Sequence, residues 1–116
     1  MEKYIDSEIT QYWIHFQAGE LKKNHIYPQA MIKCYHEDDF MLQINFYPDA
    51  KSVPPNHYDK KKRLVYLRYP MSMYVNIMDI LRNEKPIYFR YNKALNVGFV
   101  RTGKEPVGEG EYDADF

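Results

Sequence analysis

The stretch Tyr69–Tyr91, YPMSMYVNIMDILRNEKPIYFRY, decides the fold. It reads as the end of one strand, a single helix, a stop signal and the start of another strand. Met71, Tyr74, Ile77, Met78 and Leu81 recur at three- and four-residue spacing, which puts them on one face of a 3.6-residue period. Ser72, Asn76, Asp79 and Asn83 fall on the opposite face. Ser72 is suited to the N-cap, its hydroxyl accepting from an otherwise orphaned backbone N–H. Pro86 cannot continue a helix and pushes Lys85 out of the helical region, so the helix ends near Asn83. Asn also tolerates the left-handed backbone that often closes a helix. Arg82 follows Asp79 at the spacing of an i, i+3 ion pair. Core packing accounts for the apolar stripe, which calls for no cofactor.

Outward from this helix, the chain alternates. Before it, Val65, Leu67 and Tyr69 share one side of a strand over residues 64–69. After it, Ile87, Phe89 and Tyr91 alternate with Tyr88 and Arg90, residues 92–96 turn, and residues 97–102 form a last strand. Near the N-terminus, Tyr12, Ile14, Phe16 and Ala18 alternate with Gln11, Trp13, His15 and Gln17 over residues 9–18, which predicts a strand. Ala30, Ile32 and Cys34 then alternate with Met31, Lys33 and Tyr35. Four polar residues, His36 to Asp39, separate them from the alternating set Phe40, Leu42, Ile44 and Phe46, a hairpin pattern. Between residues 48 and 62 the period vanishes, and PDAKSVPPNHYDKKK reads as a long Pro- and Lys-rich loop. The predicted fold is α+β: a mostly antiparallel twisted sheet of about six short strands, with one helix on one face.

A chain of 116 residues is long enough for one core, here over residues 1–104, followed by an acidic segment over 105–116. The single Cys34 excludes an internal disulfide. MEKYIDSEI lacks the basic-then-apolar pattern of a secretory leader, and no apolar run approaches a membrane span, so a cytoplasmic protein is expected. The net charge of zero conceals a pattern. Residues 1–59 carry a balance of −4, residues 60–104 one of +9, and residues 105–116 one of −5. Such asymmetry fits an anionic partner, or an acidic segment lying on a basic surface.

One helix covers one face of such a sheet. By alternation the other face shows Trp13, Lys33, Tyr35, Tyr47, Tyr66, Arg68, Tyr88 and Arg90, with Met31 and Met41 among them. Those eight are the candidate binding residues. A Tyr-, Met- and Arg-rich face suits self-association, most simply a homodimer. The same rings and cations suit single-stranded nucleic acid, whose bases stack on aromatics while Lys and Arg track phosphates. A third possibility is that the sheet curls and these side chains fill a barrel or a small-ligand pocket. The reading is a non-enzymatic binding domain, self-associating through the aromatic face. The alternative is a single-stranded nucleic-acid-binding module with an acidic regulatory tail.

The acidic tip Asp113–Phe116, with its terminal Phe, resembles the tail of bacterial and phage single-stranded-DNA-binding proteins. The resemblance, confined to those four residues, implies a segment that recruits partners and competes with DNA for a basic groove. Chemistry is less well represented. His15, His25, His36 and His57 are scattered without the i, i+4 spacing of helical zinc ligands. Cys34 and His36 lie two apart on one predicted strand, with no further ligands to complete a metal site. No Gly-rich phosphate loop follows a strand. No metal and no catalytic residue is assigned.

Overall fold

The structure, a computed structural model, describes residues 3–18 and 27–104. The acidic segment over 105–116, and with it the tip that carries the resemblance, lies outside the described residues. The described chain starts its first strand earlier than the alternation suggests. β1 (Tyr4–Ile9) and β2 (Gln11–Phe16) are one run of chain broken only at Thr10. The Thr10 N–H donates to the Tyr35 carbonyl at 2.8 Å, and its hydroxyl accepts from the Glu37 N–H at 2.6 Å. The bend sends the two halves into different sheets. β1 pairs with β7 (Ile87–Asn92) and β2 with β3 (Ala30–His36), both antiparallel. Strands that change sheet at a bend form the shared corner of two packed sheets.

Eight strands in two sheets therefore replace the six in one sheet expected from the sequence. The smaller sheet runs β1–β7–β8, with β8 at Val97–Thr102. The larger runs β2–β3–β4–β6–β5, with β4 at Asp39–Tyr47, β5 at His57–Asp59 and β6 at Leu64–Pro70. Every pairing is antiparallel except β4–β6. A parallel pair needs a long return connection, and residues 48–63 supply it, laying β5 along the far side of β6 on the way. The expected structureless loop is thus partly a strand. It is also tied down: Asn56 Nδ2 donates to the Asn96 carbonyl (3.1 Å) and Asn96 Nδ2 to the Asn56 carbonyl (2.7 Å).

The helix α1 (Tyr74–Asn83) joins the larger sheet to the smaller and buries Ile77, Met78 and Leu81, as the spacing predicts. Ser72 is not its N-cap. The chain leaves β6 through Pro70 into a 3-10 turn over Met71–Met73, and Met73 takes the N-cap position without a side-chain bond. Asn83 stays helical, and its amide donates to Asp79 at 2.7 Å, so Asp79 bonds to Asn83 where Arg82 was expected. Among the described residues, no helix is long and apolar enough to cross a membrane.

The core lies between the two sheets. Ile9, Ile87, Phe89 and Tyr91 from one side meet Ile32, Leu42, Ile44, Phe46, Val65 and Leu67 from the other, and α1 closes the open end. A register shift at Cys34/Tyr35 sets Tyr35 opposite Phe40, with Met41 as the extra residue. This bulge reverses two expectations. Met41 packs against the core, and Phe40 turns outward to meet Tyr35, ring centroids 5.3 Å apart.

At Gly98 on β8 the smaller sheet comes close to Leu67 of the larger one. A Cβ there would stand 2.6 Å from Leu67 Cδ2 and 3.0 Å from the Arg90 carbonyl oxygen. Since Leu67 is fully buried, Gly98→Ala is expected to destabilise the fold by about 1–3 kcal/mol in denaturant titration. Leu67→Val would make room, so the double variant should lose less than the sum of the single losses.

Candidate functional surface

The eight candidate residues do not share one face. Five of them, Trp13, Lys33, Tyr35, Tyr66 and Arg68, lie on the outer face of the five-stranded sheet. Tyr88 and Arg90 sit on β7, hence on the outer face of the other sheet, across the core from the rest. There Arg90 forms a charge pair with Asp6 (2.6 Å) and lies 4.4 Å from the Tyr4 ring, while Arg101 covers Tyr88 at 4.7 Å. The Asp6 carboxylate bonded to Arg90 raises that guanidinium's already high pKa. Tyr47 is only 4% exposed and presents no ring to a ligand. None of the five fills a barrel interior.

On the five-stranded sheet the pairing aligns side chains into rows. One row runs Trp13, Lys33, Gln43, Tyr66, His57, and the next runs His15, Met31, Asn45, Arg68. Neither row contains a carboxylate. Strand spacing of about 4.8 Å makes the face roughly 24 Å across.

Two clusters of rings stand on it. In the first, Lys33 Nζ lies 4.7 Å from the Trp13 ring and 5.4 Å from the Phe40 ring, positions that stabilise an ammonium by cation–π attraction. Trp13 Nε1 donates to the Tyr35 hydroxyl at 2.9 Å, fixing the indole, and His15 lies 6.2 Å away. Trp13 is nonetheless 43% exposed. In the second, Tyr66 stacks with His57 at 6.0 Å, and the Arg68 guanidinium lies 5.4 Å from the Tyr66 ring. Arg68 Nη1 donates to the Pro55 carbonyl at 2.7 Å, while Nε is buried without a partner among the described residues. Between the clusters Gln43 Nε2 donates to Asn45 Oδ1 at 2.9 Å. From Trp13 to Tyr66 is three strand spacings, about 14 Å.

The alternation put His15 on the side of Trp13 without marking it as a candidate, and it lacked Phe40 and His57 on this face. The bulge placed Phe40 there, and His57 arrived on the short β5, hidden in the proline- and lysine-rich run. A signal for β5 existed: Asp59 accepts from the Lys61 and Lys62 N–H groups, an Asx turn that opens the way to β6. Beside Trp13 and Tyr35, a cleft of about 450 Å³ reaches the Glu37–Asp38 turn and marks the acidic boundary of the face.

Cys34 and His36 form no pair for chemistry. Cys34 is fully buried, and His36 Nδ1 faces the Glu8 carbonyl at 3.3 Å. No group of three or more His, Cys, Asp or Glu that could hold a metal ion occurs among the described residues. Burial pushes the Cys34 thiol up from 9.0 to about 12. Between those values the unfolded chain releases a proton that the folded chain keeps. The stability that Cys34 contributes is thus fully present below pH 9.0 and lost as pH rises towards about 12. Burial raises Tyr69 too, which acts in the same sense. Thiol reagents at pH 8 should label Cys34 only as fast as the protein unfolds. Rapid labelling of the native protein would show the thiol to be accessible.

Comparison with protein families, curated proteins and solved structures finds no match for this chain.

Proposed function

We propose that this chain is a non-catalytic binding domain that takes single-stranded nucleic acid on the outer face of its five-stranded sheet. The observation that carries the reading is the pair of adjacent rows bearing rings, amides and cations without a carboxylate. Stacking on a free ring contributes about 1–3 kcal/mol per base and tolerates any base, because every base has a π-face. Trp13 offers such a ring, Tyr66 a second one already partly covered by His57 and Arg68, and Lys33 and Arg68 stand beside them where phosphates would pass. Gln43 and Asn45 supply hydrogen bonds between. The opposite sheet, with Arg90 neutralised by Asp6, is less suited to an anion.

Self-association through this same face is less favourable. A two-fold contact sets the same patch against itself, so Lys33 and Arg68 would be desolvated facing their own copies, with no carboxylate in the rows to pair. Charge at the centre is also what stable interfaces avoid.

The test uses Trp13, the only tryptophan. Its fluorescence should be quenched on titration with a labelled oligo-dT or oligo-U whose anisotropy rises in parallel. Tyr66→Ala is expected to weaken binding by roughly 5- to 150-fold, the equivalent of about 1–3 kcal/mol. Tyr88→Ala and Arg90→Ala should leave affinity unchanged. Two phosphate contacts imply a slope of about −1.4 for log K against log salt. The five carboxylates of residues 105–116 would compete for the same cations, so a chain ending at Lys104 should bind more tightly. Absence of binding at low salt, or equal losses from the two faces, would contradict the reading.

A further inference from the structure

We infer that β2 is an open strand-addition edge and that its occupant is the β2 of a second copy of this chain. The two sheets have four edge strands, β1, β8, β5 and β2. Three of them carry the features that keep sheet edges from pairing. β1 bears Asp6 and Glu8, β8 bears Arg101, and β5 is three residues long, contains Asp59 and runs into Lys60, Lys61 and Lys62. β2, QYWIHF, has no Asp, Glu, Lys, Arg, Pro or Gly in six residues. Among the described residues it is the edge that carries no such guard.

Its hydrogen-bonding groups point the right way. The Gln17 N–H donates to the Gln29 carbonyl at 2.8 Å, and the β2–β3 register is unbroken from Gln11↔Tyr35 to Phe16↔Ala30. Alternation in an antiparallel ladder then commits the backbone of Gln11, Trp13 and His15 to β3. Tyr12, Ile14 and Phe16 direct three N–H and three C=O groups to the open side. Their side chains lie towards α1, where Ile14 is 38%, Phe16 60% and Val75 73% exposed. A groove of about 410 Å³ runs beside this edge, between Ile14 and the helix residues Tyr74, Val75 and Met78, with Asp79 and Arg82 also in its lining.

The strand is its own complement. About a two-fold axis normal to the sheet at Ile14, each Ile14 faces its copy, and Tyr12 faces the partner's Phe16. Six backbone hydrogen bonds close, apolar side chains oppose apolar ones, and no charge meets a like charge. Trp13 comes opposite the partner's His15 on the outer face. The product is one ten-stranded sheet, about 48 Å across. Six residues a side cover roughly half of the ~800 Å² per partner in a standard interface, so the dimer is weak and forms only at high concentration. This association does not depend on what the outer face binds.

Sedimentation velocity of the full chain without nucleic acid, from about 10 μM to about 1 mM, tests it, with amide exchange followed at both ends of the range. The sedimentation coefficient should rise from monomer to dimer. Exchange at Tyr12, Ile14 and Phe16 should slow with concentration, while that at Gln11, Trp13 and His15 stays constant. Ile14→Pro removes an outward N–H and leaves the bonds to β3 intact, and Phe16→Lys puts a charge at an exposed position of the same edge. Both variants should keep the wild-type circular dichroism and remain monomeric at the highest concentration. A wild-type chain that is monomeric throughout, a dimer that Phe16→Lys leaves intact, or protection gained elsewhere would overturn the inference.

Discussion

The corner at Thr10 is the constraint on which the rest depends. A chain that simply continued from Tyr4 to Phe16 would lie in one sheet, with all its outward residues on one face. Thr10 prevents this by taking the Tyr35 carbonyl with its own N–H and the Glu37 N–H with its hydroxyl. One strand then serves two sheets, and the apolar faces of both turn inward onto a common core. The close approach of Gly98 to Leu67 and the mutual bonds of Asn56 and Asn96 draw the sheets together away from that corner. What the corner separates are the two outer faces, and they differ in chemistry.

On the smaller sheet Arg90 is neutralised by Asp6, which leaves Arg101, over the Tyr88 ring, as the cation without a carboxylate bonded to it among the described residues. On the larger sheet, the two cations rest on rings and no acid joins the rows. A cation over a ring keeps its charge available to an anion, whereas one bonded to a carboxylate has already lost most of that attraction. This difference, and not the number of tyrosines, is the ground on which we propose one face over the other as a binding surface.

Much of the fold was legible in the sequence because it is local. The stripe Ile77, Met78, Leu81, the stop at Pro86, and the alternation of Ala30, Ile32 and Cys34 depend on residues within one turn or one strand. The rest depends on partners distant in the chain. YIDSEI is a strand because β7 lies beside it, with Asp6 and Glu8 on the wet side; alone it reads as a polar segment. Nothing in Phe40–Met41 marks a bulge, yet that one extra residue exchanges their faces. Tyr47 has the parity of an outward residue and is nonetheless buried. Five of the eight candidate residues came together because their strands were read in the right phase. Tyr88 and Arg90 were read in phase as well, but the helix carries their strand to the other sheet, which no periodicity records.

Amide chemical-shift mapping during titration with an unlabelled oligonucleotide asks whether binding belongs to one outer face. The proposed function predicts shifts along β2, β3, β4, β6 and β5, with the Trp13 indole N–H among the largest, and little change at Asp6, Tyr88 or Arg90. Shifts centred on β1, β7 and β8, or none anywhere at low salt, would contradict it.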